Sequence, residues 1–261
     1  MSEPQLDRHE MSLMQKLSVP EAADPPWSIL ITIVIVVVLF INLTIVGSAM
    51  SSVMLGIDDN TDPTPFMLLL SWTIGQAITI VYVVINRRSS YESWNALKLS
   101  RGLLPLPLVL MVGVAVALTV DLVINLASGQ FLPIPEIYGF QADGIAGILL
   151  AGLFLVLIQP VAESLVFQAI LLPKLRFMLG AWGGVIITTI VFTLLHYSIF
   201  YLSYQSNYPE SALVWYGIVY PLATGLMFCL IKVYTGSTRA VIIARMGAGA
   251  TFLLTALVLV G

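Results

Sequence analysis

Seven stretches of this 261-residue chain are apolar and long enough to cross a membrane as helices. A hydrocarbon core of about 30 Å takes about 20 helical residues. The predicted spans lie near residues 28–51, 66–85, 103–125, 144–172, 181–200, 212–234 and 240–260. Because the backbone in lipid must satisfy its own hydrogen bonds, each span is expected to be helical. The chain is therefore predicted to fold as an all-α, polytopic membrane helix bundle with about seven transmembrane helices.

The composition narrows the class of protein further. Hydrophobic residues make up 59% of the chain and charged residues only 10%, which is typical of polytopic membrane proteins. The one cysteine, Cys229, excludes a disulfide framework and a Cys-rich metal site, and it is interpreted as core packing. The sequence has neither a Gly-rich phosphate loop nor a basic surface for nucleic acid. The lipid bilayer is thus an expected partner, whereas nucleic acid is not.

The distribution of charge orients the predicted spans. Ten of the eleven Lys and Arg residues fall on one side of the membrane: Arg8, Lys16, Arg87, Arg88, Lys98, Arg101, Lys174, Arg176, Lys232 and Arg239. The alternate loops carry acidic residues instead: Asp58, Asp59, Asp62, Glu136, Asp143 and Glu210. The positive-inside rule then predicts a cytoplasmic amino terminus and a carboxyl terminus outside.

The domain organisation is simple. Residues 1–26 are polar and lack the basic-then-apolar pattern of a cleavable signal peptide. They are predicted to form a cytoplasmic amino-terminal tail, partly helical around Met11–Leu17. No internal repeat or soluble domain is recognisable after them, so residues 27–261 are predicted to be a single transmembrane domain.

Three ionisable residues stand inside the predicted spans, where a charge costs about 2.5–3.5 kcal/mol on insertion scales. At a helical rise of about 1.5 Å per residue, Glu163 lies about 15 Å and Arg245 about 9 Å from the cytoplasmic end. His196 lies about 18–24 Å from that end by the same rise. Glu163 follows Pro160, which is predicted to kink its long span. The three side chains are therefore expected to approach one another inside the bundle.

The residues around them resemble a known family. Glu163-Ser-Leu-Val-Phe-Gln-Ala-Ile-Leu-Leu-Pro173, a Gly-Ala-Trp turn and Phe192-Thr-Leu-Leu-His196 are similar to motifs of the CPBP intramembrane protease family. That family contains the type II CAAX prenyl endopeptidases and the Abi bacteriocin-immunity proteins. The resemblance covers a core near residues 145–255. It implies, together with the charge pattern, an integral protein of the plasma (inner) membrane.

The match to the family's motifs is uneven. They read Glu-Glu-x-x-x-Arg with Phe before the Arg, then Phe-x-x-x-His, then His-x-x-x-Asn/Asp after a Thr-Gly-Ser-type turn. The residues that fit are Glu163, Phe167, Phe192 and His196. The residues that depart are Ser164 for the second Glu, Gln168 for the Arg, and Arg245 and Gly249 for the His and Asn of the third motif. The resemblance therefore implies a degenerate member of the family.

These departures affect the expected metal chemistry. In the family the first Glu activates a water, so an active site would use Glu163 as general base and His196 as acid or metal ligand. A catalytic zinc usually takes three protein ligands and keeps one open position. A guanidinium cannot be a ligand, and its charge would repel a divalent cation. No cofactor is therefore expected, and zinc only if the protease site is intact.

The same residues also fit a structural arrangement. Glu163 and Arg245 lie at similar depths, so a buried ion pair between them is expected, with His196 and Gln168 as hydrogen-bond partners. Taken singly, Glu163 also fits a locally paired carboxylate, and His196 fits a packing histidine. Arg245 alone also fits a side chain that snorkels to the headgroups.

Two functional classes follow. The favoured class is a catalytically degenerate, CAAX-protease-like membrane protein that acts as a scaffold or accessory subunit, with other membrane protein subunits as partners. The alternative is an active intramembrane endopeptidase of CAAX type that cuts a peptide substrate with Glu163 and His196. A transporter is disfavoured because the chain lacks repeated halves with paired broken helices.

Overall fold

The computed structural model describes residues 11–21, 25–56, 64–89, 105–128, 144–203 and 213–260. All the regular secondary structure in these ranges is helical. The helices are α1 (Leu13–Ser18), α2 (Ile29–Leu55), α3 (Pro65–Ser89), α4 (Leu106–Ser128), α5 (144–179), α6 (181–203), α7 (Trp215–Thr235) and α8 (Thr238–Val260). The predicted all-α bundle is confirmed.

The predicted number of spans is confirmed as well. By length and composition, six continuous apolar helices in the described residues could cross a membrane, and one of them, Gly144–Tyr201, is 58 residues long. That helix is interrupted at Gly180, whose φ of 80° and ψ of 176° lie outside the helical region. Glycine tolerates this backbone conformation because it has no Cβ. The chain turns there and separates α5 from α6, which gives seven helices of spanning length among the described residues.

The surface of the bundle is strongly apolar. Large side chains such as Leu30, Val53, Leu149 and Leu194 are more than half exposed. Soluble proteins rarely expose apolar residues in this number on one continuous surface. The arrangement is that of a bundle whose outer helix faces contact lipid, so the protein is an integral membrane protein.

Close helix contacts hold α4 against α8. A Cβ atom at Gly113 of α4 would overlap the backbone carbonyl of Ala244, and one at Gly247 of α8 would approach the carbonyl of Leu110. Small residues permit such backbone-to-backbone packing in membranes, where helix association depends on van der Waals contact. The small residues after Arg245 thus act within the bundle.

Helix α5 is irregular around Glu163. Residues Leu153–Ile158 and Ser164–Leu171 are π-helical, and the short α-helical segment Gln159–Glu163 separates them. The sequence predicts a kink at Pro160, and the irregular geometry lies in these two π-helical segments, one on each side of the segment that contains Pro160. π-helical turns inside α-helices occur frequently at functional sites.

The amino-terminal segment, residues 11–21, packs on the ends of α5 and α7. The predicted helix in this segment is present as α1, and Leu17 is buried against Leu172, Val185 and Cys229. The Lys16 ammonium donates to the carbonyl of Tyr234 at 3.0 Å. This segment therefore covers the end of the bundle at which α5 and α7 finish.

Arg176 at the end of α5 ties the segment down. Its Nη2 donates to the carbonyl of Lys16 at 3.0 Å and to that of Val19 at 2.5 Å. We expect Arg176→Met to release residues 11–21, because each hydrogen bond to a charged group contributes about 1.5–3 kcal/mol. Amide hydrogen exchange of residues 13–18 in detergent would accelerate. Arg239→Met, at an exposed position, is the control, and equal exchange rates in the two variants would contradict the assignment.

Candidate functional site

Glu163 and Arg245 form a buried ion pair at the centre of the bundle. The Oε2 atom of Glu163 lies 2.5 Å from Nη1 of Arg245, and the two side chains are 2% and 6% exposed. One residue comes from α5 and the other from α8. The pair expected from their similar depths is therefore present, and the snorkelling alternative for Arg245 is wrong.

The second carboxylate oxygen of Glu163 has three neighbours. Gln159 Nε2 donates to Oε1 at 2.9 Å, and Gln76 Nε2 of α3 approaches the same atom at 3.5 Å. His196 Nε2 lies 3.3 Å away. An ionised carboxylate offers about four lone-pair sites. With Arg245 on Oε2, nitrogen atoms of four side chains surround this one group.

Two aromatic rings hold the Arg245 guanidinium. Its Cζ lies 4.7 Å from the centre of the Phe192 ring and 4.3 Å from that of Phe228. Cation–π contacts of this length contribute about 0.5–2 kcal/mol each. Nη2 also donates to Gln168 Oε1 at 3.4 Å. Gln168, which stands where the family has Arg, thus supports the cation of another helix.

His196 is oriented by its own helix. Its Nδ1 lies 2.9 Å from the carbonyl of Phe192, and its ring packs 4.0 Å from that of Phe192. Phe192 in turn meets Phe167 edge-on at 5.0 Å. Both ring nitrogens of His196 therefore face oxygen atoms, the carbonyl on one side and the Glu163 carboxylate on the other.

Gly225 of α7 makes room for the Phe192 ring. A Cβ at this position would lie 2.7 Å from Cδ1 of Phe192. The glycine lets α7 approach the Phe192 ring, which packs against the Arg245 guanidinium. Phe167 and Phe192, which fit the family motifs, therefore act through packing.

The other positions that are predicted to depart from the family motifs have separate environments. Ser164 is fully buried, and its hydroxyl has no hydrogen-bond partner among the described residues. Ser164 and Gln168 belong to the π-helical segment Ser164–Leu171. Because the hydrogen bonds of a π-helix join residues i and i+5, side chains four residues apart do not lie directly above one another. At Gly249 a Cβ would overlap the carbonyl of Leu155. The position that bears Asn or Asp in the family thus has no space for a side chain here.

The residues present do not fit a conventional zinc site. Within the described ranges no group of three His, Cys, Asp or Glu side chains could hold a metal ion. Within the described residues, the carboxylate beside His196 is that of Glu163, and the Arg245 guanidinium pairs with it. A fixed cation at this point disfavours a divalent ion through charge repulsion.

A cavity of about 130 Å³ lies against the site. Its base is formed by polar side chains, namely Gln76, Gln159, Glu163, His196 and Arg245. Its walls are largely aromatic: Trp72, Phe154, Phe192, Phe200, Tyr216, Tyr220, Phe228 and Phe252. Pockets with apolar walls and a few convergent polar groups are typical ligand sites.

Gln76 and Gln159 are part of the site but are not family motif positions. Gln159 lies four residues before Glu163, which is contact distance on a helix. Gln76 is a polar residue inside the apolar run of the second predicted span. The sequence signal for Gln76 was its polar side chain within an apolar span. Its contact with Glu163 of α5 could not be predicted, because it depends on how the helices pack.

Comparisons with known proteins cover the part of the chain that contains this site. The family described as type II CAAX prenyl endopeptidase Rce1-like matches residues 145–251. No curated protein matches the chain, and no solved structure does. The matched range contains Glu163, His196 and Arg245, together with the helices that bring them together. Residues 145–251 are therefore similar to the type II CAAX prenyl endopeptidases, which supports membership of the CPBP family.

Proposed function

We propose that this protein is a catalytically degenerate, CAAX-protease-like membrane protein that acts as a scaffold or accessory subunit of a membrane complex. The observation that carries the proposal is the state of Glu163. A general base must be free to accept a proton from the attacking water. Here the carboxylate is paired with Arg245 and surrounded by Gln159, Gln76 and His196.

The buried pair also fits a structural role. A buried ion pair satisfied by further hydrogen bonds fixes the register of the helices that carry it. In this chain it connects α5 to α8, with α3 and α6 contributing Gln76 and His196. We propose a plasma membrane location with the amino terminus in the cytoplasm, on the basis of the charge distribution among the loops.

The alternative is an active endopeptidase, and one observation favours it. His196 and Glu163 lie 3.3 Å apart at the base of a cavity, as an acid–base pair would. The two readings differ in what they require of Glu163. In the endopeptidase its carboxylate is essential for cleavage, whereas in the scaffold its charge matters only because Arg245 must be compensated.

Native purification in mild detergent tests the proposal. We expect co-elution with other membrane subunits at fixed stoichiometry, and no zinc. The matched variant is Glu163→Gln combined with Arg245→Leu, which removes both charges together. We expect it to retain its partners. A protein that purifies alone with about one zinc per chain would contradict the proposal. Loss of a cleavage activity in the double variant would do so as well.

A further inference from the structure

Among the described residues, the lining of the cavity extends from the ion pair toward one end of the bundle. On α8 its lining starts at Arg245 and continues to Phe252, toward the carboxyl terminus. On α5 it starts at Glu163 and continues back to Phe154. These helices are antiparallel, so both directions lead to the same end of the bundle. That end is opposite to the end on which residues 11–21 pack.

The lining residues on α6 and α7 extend toward the same end of the bundle. On α6 the lining continues from Phe192 to Phe200, and on α7 from Phe228 back to Tyr216. At about 1.5 Å per residue, the α7 lining covers about 18 Å of helix. No lining residue on these two helices lies nearer to the amino-terminal segment than Phe192 or Phe228.

The region between the site and the amino-terminal segment is filled. Leu17, Leu172, Val185 and Cys229 pack together there, and none is more than 2% exposed. Such packing leaves no path for a ligand past this cluster to the ion pair. Arg176 and Lys16 hold the segment in place through backbone carbonyls.

We infer that the cavity is a ligand site that is reached from the end of the bundle opposite the amino-terminal segment. With the proposed orientation, this is the non-cytoplasmic side of the membrane. The inference goes beyond the proposed function, because it concerns access and holds for a scaffold and a protease alike. In that orientation, a substrate or partner segment presented in the cytoplasm would not reach this site.

The lining also defines the chemistry of the ligand. The cavity of about 130 Å³ has room for a group of about the size of an aromatic ring, since a cavity of about 150 Å³ binds benzene. The polar base of the cavity does not require a charged ligand, because the charges of Glu163 and Arg245 compensate each other. Gln76 Oε1 is buried and has no hydrogen-bond partner among the described residues. The ligand is therefore a neutral, ring-sized apolar group that carries a hydrogen-bond donor.

Cysteine accessibility tests the direction of access. In a Cys229→Ala background, Thr224→Cys places a thiol in the cavity wall, and Met14→Cys places one on the exposed face of α1. Thr188→Cys is the buried control outside the cavity. Each variant is treated with a small membrane-impermeant thiol reagent in right-side-out and in inside-out vesicles. Denatured protein gives the total number of reactive thiols.

We expect Thr224→Cys and Met14→Cys to react from opposite sides of the membrane. Thr224→Cys should react at least about tenfold faster than Thr188→Cys, because Thr224 lines the cavity and Thr188 does not, and thiol reactivity depends on access. Reaction of Thr224→Cys from the same side as Met14→Cys, or at the rate of Thr188→Cys from both sides, would overturn the inference. The side from which Met14→Cys reacts reports the orientation separately, so an error there leaves the inference on access standing.

Protection tests the ligand class. In detergent, millimolar benzyl alcohol should slow the modification of Thr224→Cys several-fold while leaving that of Met14→Cys unchanged. Benzoate and benzylammonium, which match it in size but carry a charge, should not protect. Equal protection by a charged probe, or none by the alcohol, would show that the ligand class is wrong.

Discussion

Removing one charge of the central ion pair is expected to destabilise the protein more than removing both. Arg245→Leu leaves the Glu163 carboxylate buried without its cation, and Glu163→Gln leaves the guanidinium without its anion. Breaking a buried pair from one side costs about 3–5 kcal/mol. The double variant has no uncompensated charge, so its loss of unfolding free energy should be clearly smaller than the sum of the two single losses.

Thermal or denaturant unfolding in mild detergent gives the unfolding free energies of the parent protein, the two single variants and the double variant, which together form a double-mutant cycle. The interaction energy is the loss in the double variant minus the two single losses, and values of about 0.5–3 kcal/mol are usual for coupled residues. A control cycle combines Glu163→Gln with Lys16→Met, because Lys16 bonds to Tyr234 in a different cluster. The control losses should add. Simple additivity of the Glu163 and Arg245 losses would mean that the pair contributes nothing to stability.

The second large effect is expected at Gly249. A methyl group there would overlap the carbonyl of Leu155, which is backbone and cannot rotate away. Helices α5 and α8 would have to separate at the level of the site, and overpacking of this kind costs about 1–3 kcal/mol. Gly249→Ala is therefore expected to lower the thermal stability, and Gly249→Asn, which adds a larger side chain, to lower it further.

Gly152→Ala is the matched control for this change. Its added Cβ would lie 3.7 Å from a methyl group of Leu253, an ordinary contact. Alanine is favoured over glycine in a helix by about 0.5–1 kcal/mol. The control should be neutral or stabilising. If Gly249→Ala behaves like Gly152→Ala, α8 has space at this position, and packing does not exclude a larger side chain there.

The features that depend on depth could be predicted from the sequence. Long apolar runs give the number of spans, and counting residues from each helix end places Glu163 and Arg245 at similar levels. The partial motif match added His196 and Phe192. These predictions rest on the rise per residue of a helix, which varies little in a bilayer.

The features that depend on rotation about the helix axis could not be predicted. The two π-helical segments of α5 change the direction in which Gln159, Glu163 and Gln168 point, and apolar sequence gives no clear signal for them. The close contact at Gly249 depends on the crossing of α5 and α8. For the same reason the cavity, whose walls come from six helices, has no signature in any single segment.

The pairing of Glu163 with Arg245 also determines how the site responds to the membrane voltage. A single charge that crosses the whole bilayer gains or loses about 2.3 kcal/mol per 100 mV, so an isolated carboxylate at this depth would experience a fraction of that work. The two opposite charges lie 2.5 Å apart, and the field acts on them with nearly equal and opposite force. A voltage across the membrane therefore leaves this pair in the position that it has without a voltage.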